Sequence, residues 1–259
     1  LACRSPWLAM MLCAASAAVI AAPDDAGRPG SCSARSGALA APVVELYTSE
    51  GCNSCPPADR WLSALRSEPS TPVVALAFHV DYWDRLGWKD RYASPAYTQR
   101  QTAQQRSSGA RFVYTPQVLI DGADRPDWPR ATPADAPRRP STVDLRLDRD
   151  GTRVRATVTA RDGAPARLAA YWAVTEDGHV SAVQAGENQG ATLHHDRVVR
   201  DYRPVAAWTR RGGDATVLTF EPARDEAPPS AAHPRRIALV VIDADTGRPV
   251  QAVQTLQGG

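Results

Sequence analysis

Two spacings of apolar residues divide this chain of 259 residues. In the first half, short apolar runs alternate with helical periods; from Thr142 onward the period is two. Val43–Thr48 is an apolar strand, and Ala58, Trp61, Leu62 and Leu65 recur at the spacing of a helix over residues 56–66. Residues 72–80 are almost wholly apolar, as expected of a strand covered on both faces. A strand–helix–strand crossover makes these two strands parallel, so their C-terminal ends emerge on one side of the sheet. Cys52 is therefore expected beside the segment that runs from His79 through Asp81 and Tyr82 to Trp83. Residues 94–106 read as a polar helix, and residues 115–121 as a third strand closed by the turn pair Asp121-Gly122.

The alternating half contains Val143-Leu145-Leu147, Val154-Ala156-Val158, Leu168-Ala170-Trp172, a run from Val217 to Phe220 and one from Ile237 to Ile242. Turn pairs at Asp150-Gly151, Asp162-Gly163, Asp177-Gly178 and Gly212-Gly213 punctuate them, which predicts an all-β sandwich over residues 141–259. Residues 225–234 read as a disordered insertion. Between the halves, residues 123–140 hold Pro126, Pro129, Pro133, Pro137 and Pro140 without apolar periodicity, the composition of a linker.

At the start, Arg4 precedes an uncharged run from Ser5 to Pro23, with Ala21 and Ala22 as a cleavage point. This is the pattern of a secretory signal over residues 1–22, followed by a flexible lead-in over 23–41. The apolar part is short for a bilayer span, so no stable membrane anchor is expected once the signal is cleaved. Cleavage removes Cys3 and Cys13 and leaves Cys32, Cys52 and Cys55 in an oxidising compartment, periplasmic or secreted. The net charge of +2 points to no particular partner. No basic run interleaves with aromatic residues, which argues against a nucleic-acid surface.

The chemistry concentrates at Cys52-Asn53-Ser54-Cys55. An apolar strand delivers Cys52 to the rim of a sheet, a following helix aims its positive end toward the sulfur, and Cys55 can close a disulfide on Cys52. Pro56 and Pro57 and a spacer without a cation weaken that activation. His79 and Asp81 lie two apart at a strand end, so they share a face and form a candidate proton-accepting pair or a structural one. Glu45, a carboxylate within an apolar strand, is a candidate proton shuttle if buried. Tyr82, Trp83 and Trp88 are candidates for the walls of a substrate groove. Zinc would require four ligands, for which neither a second Cys-x-x-Cys nor paired histidines at helical spacing are present. Copper held by Cys52, Cys55 and His79 and a purely structural disulfide remain alternatives.

The run from Val44 to Pro57, the segment Phe78-His79-Val80-Asp81-Tyr82-Trp83-Asp84, the pair Gly87-Trp88, Tyr114-Thr115-Pro116-Gln117, and Gly186-Glu187-Asn188-Gln189-Gly190 with Val198-Val199-Arg200 resemble a bacterial family of exported proteins, the domain-of-unknown-function 1223 family. That resemblance implies an α/β thioredoxin-like domain over 42–122, here with its last helix shortened or absent, ahead of the β-sandwich-like domain. It implies that an exposed Cys52 attacks, that Cys55 resolves, and that Thr115 and a cis Pro116 position substrate together with Tyr82 and Trp83. The resulting expectation is a thiol–disulfide oxidoreductase acting on cell-envelope proteins or small thiols and disulfides, without a cofactor. The alternative is a non-catalytic thioredoxin-like binding module or copper carrier.

Overall fold

The computed structural model describes residues 31–65, 67, 72–134, 136–211, 213–223 and 231–257. The expected signal over 1–22 and most of the expected insertion over 225–234 lie outside them. In chain order the elements are β1 (Ser31–Arg35), β2 (Val43–Thr48), α1 (Pro56–Ser63), β3 (Val74–His79), α2 (Pro95–Ser108), β4 (Gln117–Ile120), β5 (Ala123–Asp124), β6 (Val143–Asp150) and β7 (Arg153–Ala160). There follow β8 (Arg167–Glu176), β9 (His179–Ala182), β10 (Thr192–His195), β11 (Val198–Thr209), β12 (Ala215–Phe220), β13 (Arg235–Asp243) and β14 (Pro249–Gln257).

Eight strands form one sheet in the order β14-β13-β8-β11-β3-β2-β4-β5. β2 and β3 are parallel, with Val43 opposite Val74 and Thr48 opposite His79, and β4 runs antiparallel to β2. The seam between the two halves is the parallel contact of β11 with β3, where Val198 faces Ala77 and the Ala77 N–H donates to the Arg197 carbonyl. A second sheet, β1-β6-β7-β12, packs Val143, Leu145, Leu147, Val154, Ala156 and Val158 against Trp172, Val174, Ile237 and Leu239 of the large sheet. β9 and β10 pair only with each other.

This architecture corrects the expected fold class. Among the described residues 44% are strand and 13% helix, with two α-helices. A thioredoxin-like α/β domain followed by a separate sandwich is not what forms. β8 and β13, which the alternation marked for a separate sandwich, and β11 and β14, which lie within its expected bounds of 141–259, extend the sheet that carries the cysteines. Alternation reports that a strand has a buried face; it carries no information about which distant edge the strand joins. The lead-in also differs from expectation. Residues 31–35 pair with β6, so Cys32 lies opposite Arg149, in a different sheet from Cys52 and Cys55.

The two helices cover opposite faces of the β2–β3 region. Ala58 and Leu62 of α1 pack on Val44, Leu46, Ala75 and Ala77. Tyr97 of α2 packs with Val43, Tyr47, Leu76 and Phe78, joined by Tyr171 and Ala173 of β8. α2 begins cleanly because Ser94 caps it by accepting from the Ala96 N–H, with Pro95 in the first turn.

Candidate functional site

Strand register brings three segments to one end of the large sheet. β2 leads into residues 49–55, β3 ends beside it at His79, and β4 begins with Gln117 opposite Tyr47, so the cis Thr115–Pro116 peptide sits at the same level. Cys52 and Cys55 form a disulfide with Cα atoms 5.5 Å apart, and both residues are fully buried. The Trp83 indole N–H donates to Thr115 Oγ1 at 2.8 Å, tying two of the segments together. Gly51 permits this approach, because a Cβ there would lie 3.0 Å from Trp83 Cβ.

The helix end contributes less than its position suggests. α1 starts at Pro56 with Cys55 as its N-cap, while Cys52 lies one turn upstream. Pro56 and Pro57 have no N–H, and the Ala58 and Asp59 N–H groups already donate to the Cys55 carbonyl. No backbone donor of this first turn is left for a sulfur. Cys52 Sγ lies 3.3 Å from Ser54 Oγ.

Beside the cysteine turn lies a cluster of buried ionisable groups from five segments. His79 Nδ1 and Asp90 Oδ2 are 2.7 Å apart, both side chains being fully buried. Asp90 also accepts the Glu50 and Tyr92 N–H groups at 2.9 Å each. The Trp88 indole N–H donates to Glu50 Oε2 at 2.7 Å, and His195 Nε2 stands 3.4 Å from Glu50 Oε1. The rings of His79 and His195 meet edge to face, with centroids 4.9 Å apart. Asp59, one turn along α1 from Cys55, is buried and accepts from Thr48 Oγ1 at 3.2 Å. Burial pushes the Asp59 carboxyl up, more than the facing His195 and His79 pull it down. Burial acts the same way on Glu50, but there His195 and Trp88 hold the carboxyl below its ordinary value.

Two expected roles are corrected. Asp81 does not pair with His79: β3 ends at His79, so the two-residue alternation has stopped applying, and Asp81 accepts instead from Thr98 Oγ1 at 2.5 Å. Glu45 is buried, yet it faces α2 rather than α1. It accepts from Arg100, from Tyr47 at 2.9 Å and from Tyr171 at 2.6 Å, which leaves it no path to Cys55. Asp59, Asp90, Glu50, His195 and Asn188 are not among the candidate site residues drawn from the sequence. Among the described residues no group of three His, Cys, Asp or Glu side chains is arranged to hold a metal ion. A cleft of about 900 Å³ lies around Val74, Arg197 and Arg236, toward the opposite end of β3 and away from this chemistry.

Residues 43–241 match the family described as a protein of unknown function, DUF1223. The chain belongs to that family. The DUF1223 chain resembles the crystal structure of protein AGR_C_4864 from Agrobacterium tumefaciens, with 28% identity and a TM-score of 0.60, over 84% of this chain and 94% of the other. It shares its fold with HBP35 of Porphyromonas gingivalis, at 14% identity and a TM-score of 0.58, over 85% of this chain and 76% of the other. No curated protein matches it.

The His79–Asp90 pair gives this DUF1223 protein a defined pH response. Burial alone would raise the Asp90 carboxyl, but the His79 charge and hydrogen bond and two backbone N–H donors hold it at about 2. Burial would lower His79, and Asp90, with Asp59 and Glu50, lifts it above its usual value of 6.5 instead. The depressed carboxyl stabilises the fold above its unfolded value of 3.8, a contribution lost as pH falls toward about 2. The raised imidazole contributes fully below 6.5, and this is lost as pH rises through its folded value. Asp90→Asn is expected to cost about 3–5 kcal/mol at pH 4–6.5. The deficit should shrink on either side of that window in urea unfolding; a deficit constant from pH 3 to 9 would refute the assignment.

Proposed function

We propose that the protein is a thiol–disulfide oxidoreductase of the cell envelope, working through Cys52 and Cys55. The observation that carries this reading is a Cys-x-x-Cys disulfide whose turn begins at Glu50, part of the buried carboxylate and imidazole cluster, with buried Asp59 one turn along α1 from Cys55. In the reductive direction, the Cys52 thiolate attacks one sulfur of a substrate disulfide, and the other substrate sulfur leaves as a thiolate. Cys55 gives its proton to Asp59 and attacks Cys52 Sγ, which closes the Cys52–Cys55 bond and releases the second substrate sulfur. Two electrons pass from the cysteine pair to the substrate, and the reverse sequence oxidises a dithiol. Asp59 suits the proton step because burial keeps its carboxyl easier to protonate than usual. Thr115 and Pro116, with Tyr82 and Trp83, line the approach for a substrate chain. The signal-like segment over 1–22 supplies export, and envelope proteins are the substrates.

A second reading has a specific support: both cysteines are fully buried, as in a purely structural disulfide within a binding module. The reduction potential of the pair, equilibrated against glutathione and read by thiol alkylation and mass spectrometry, separates the two. Catalytic pairs lie between about −270 and −120 mV, and this pair is expected there. A value below about −300 mV would assign it to structure.

A further inference from the structure

A sulfur that exchanges with substrate must be reachable, yet Cys52 and Cys55 are closed off while Asn53 and Ser54 between them are exposed. The hairpin formed by β9 and β10 meets this site through its tip, residues 184–190. Within that tip Asn188 alone is buried. Its side-chain amide donates to the Glu50 carbonyl at 2.8 Å and to the Cys52 carbonyl at 3.0 Å, so one side chain grips both ends of the turn that leads into the disulfide. Next to it, Glu187 accepts the Asn53 N–H at 3.2 Å. The hairpin joins neither large sheet, and its base is fixed by buried His179, Leu193 and His195. The tip is bracketed by Gly186 and Gly190, at φ of +77° and +84°. Both are left-handed conformations that favour glycine, and a Cβ on Gly186 would lie 3.3 Å from Trp88 Cβ.

We infer that the tip of the β9–β10 hairpin is a lid over the Cys52–Cys55 disulfide and that Asn188 is its latch. The inference deepens the oxidoreductase reading by adding a gate to the same site. A firm base, a tip held by three hydrogen bonds and glycines at both ends of the tip allow it to open without disturbing the strands below. Asn188 touches the peptide of Cys52 rather than the reacting sulfurs, so it is a positioning residue.

The test is the second-order rate at which dithiothreitol reduces the oxidised protein at fixed pH, followed by alkylation quench, in wild type and Asn188→Ala. The variant is expected to be reduced at least about tenfold faster, the size of effect given by losing 1.4 kcal/mol of latch. Amide hydrogen exchange on the same samples should speed up over residues 184–191 and 52–55 while β2 and β3 stay protected. Rates within twofold of each other would overturn the lid. Acceleration accompanied by lost protection in β2 would overturn it too, because the variant would then be unfolding globally. A potential below the catalytic range would remove the oxidoreductase reading and leave these rates informative, so the two failures are distinguishable.

Discussion

Cys52→Ser is expected to abolish disulfide turnover, and Cys55→Ser to accumulate mixed disulfides with substrate. The asymmetry follows from position. Cys55 is the N-cap of α1 and passes its carbonyl to the helix, whereas Cys52 lies upstream in the turn gripped by Asn188 and beside Ser54. With Cys52 gone there is no attacking sulfur. With Cys55 gone the first exchange proceeds, and nothing inside the protein breaks the mixed disulfide. Turnover should fall to the buffer background in the first variant. In the second, non-reducing mass spectrometry should find adducts on Cys52. Wild-type turnover in either variant would sink the proposed mechanism.

Arg100→Ala is expected to cause a large loss of stability. Arg100 comes from α2 and reaches Glu45 in β2, where both side chains are nearly inaccessible, at 7% and 4% exposure. The guanidinium also stacks on Tyr171, 4.0 Å from its ring centroid, and donates to Tyr202 Oη at 3.1 Å. Burial, and then the Glu45 charge, pushes the Tyr47 and Tyr171 hydroxyls far above their usual value, so both remain donors to the carboxylate. Removing the arginine leaves a buried carboxylate without its countercharge, which costs about 3–5 kcal/mol. At about 2–4 °C per kcal/mol for a chain of this size, the melting temperature should drop by roughly 10 °C. Glu45→Gln combined with Arg100→Met should lose less than the two single changes added together, because the pair is coupled. Additive losses would mean that the two groups act separately.

Much of the site was legible because it depends on local order. The apolar run into Cys52, the prolines that open α1 and the parallel pairing of β2 with β3 follow from short-range pattern. That pairing is enough to bring His79 beside the cysteine turn. The partners of these groups were not legible. Asp90 reaches His79 from a turn 11 residues away, and Asn188 and His195 arrive through a hairpin more than 130 residues beyond Cys52. Glu45 shows the same divide on a smaller scale. Its place in an apolar strand raised the question of burial without answering it, and whether it faces α1 or α2 depends on how the strand seats in the sheet, where one residue of shift exchanges the two faces. The fold was misjudged for a related reason. β3 has the same sequence whether its outer edge meets water or β11.

The seam between β3 and β11 makes the chain indivisible in practice. A fragment ending within the proline-rich stretch would keep both cysteines and the full β2–α1–β3 unit, but β3 would become an apolar edge strand whose Ala77 N–H has lost the Arg197 carbonyl. Glu45 would lose Tyr171, Glu50 would lose His195, and the Cys52 carbonyl would lose Asn188. The stretch that most resembles a boundary in the sequence is therefore a poor place to cut, and expression trials or fusions should carry the chain through β14.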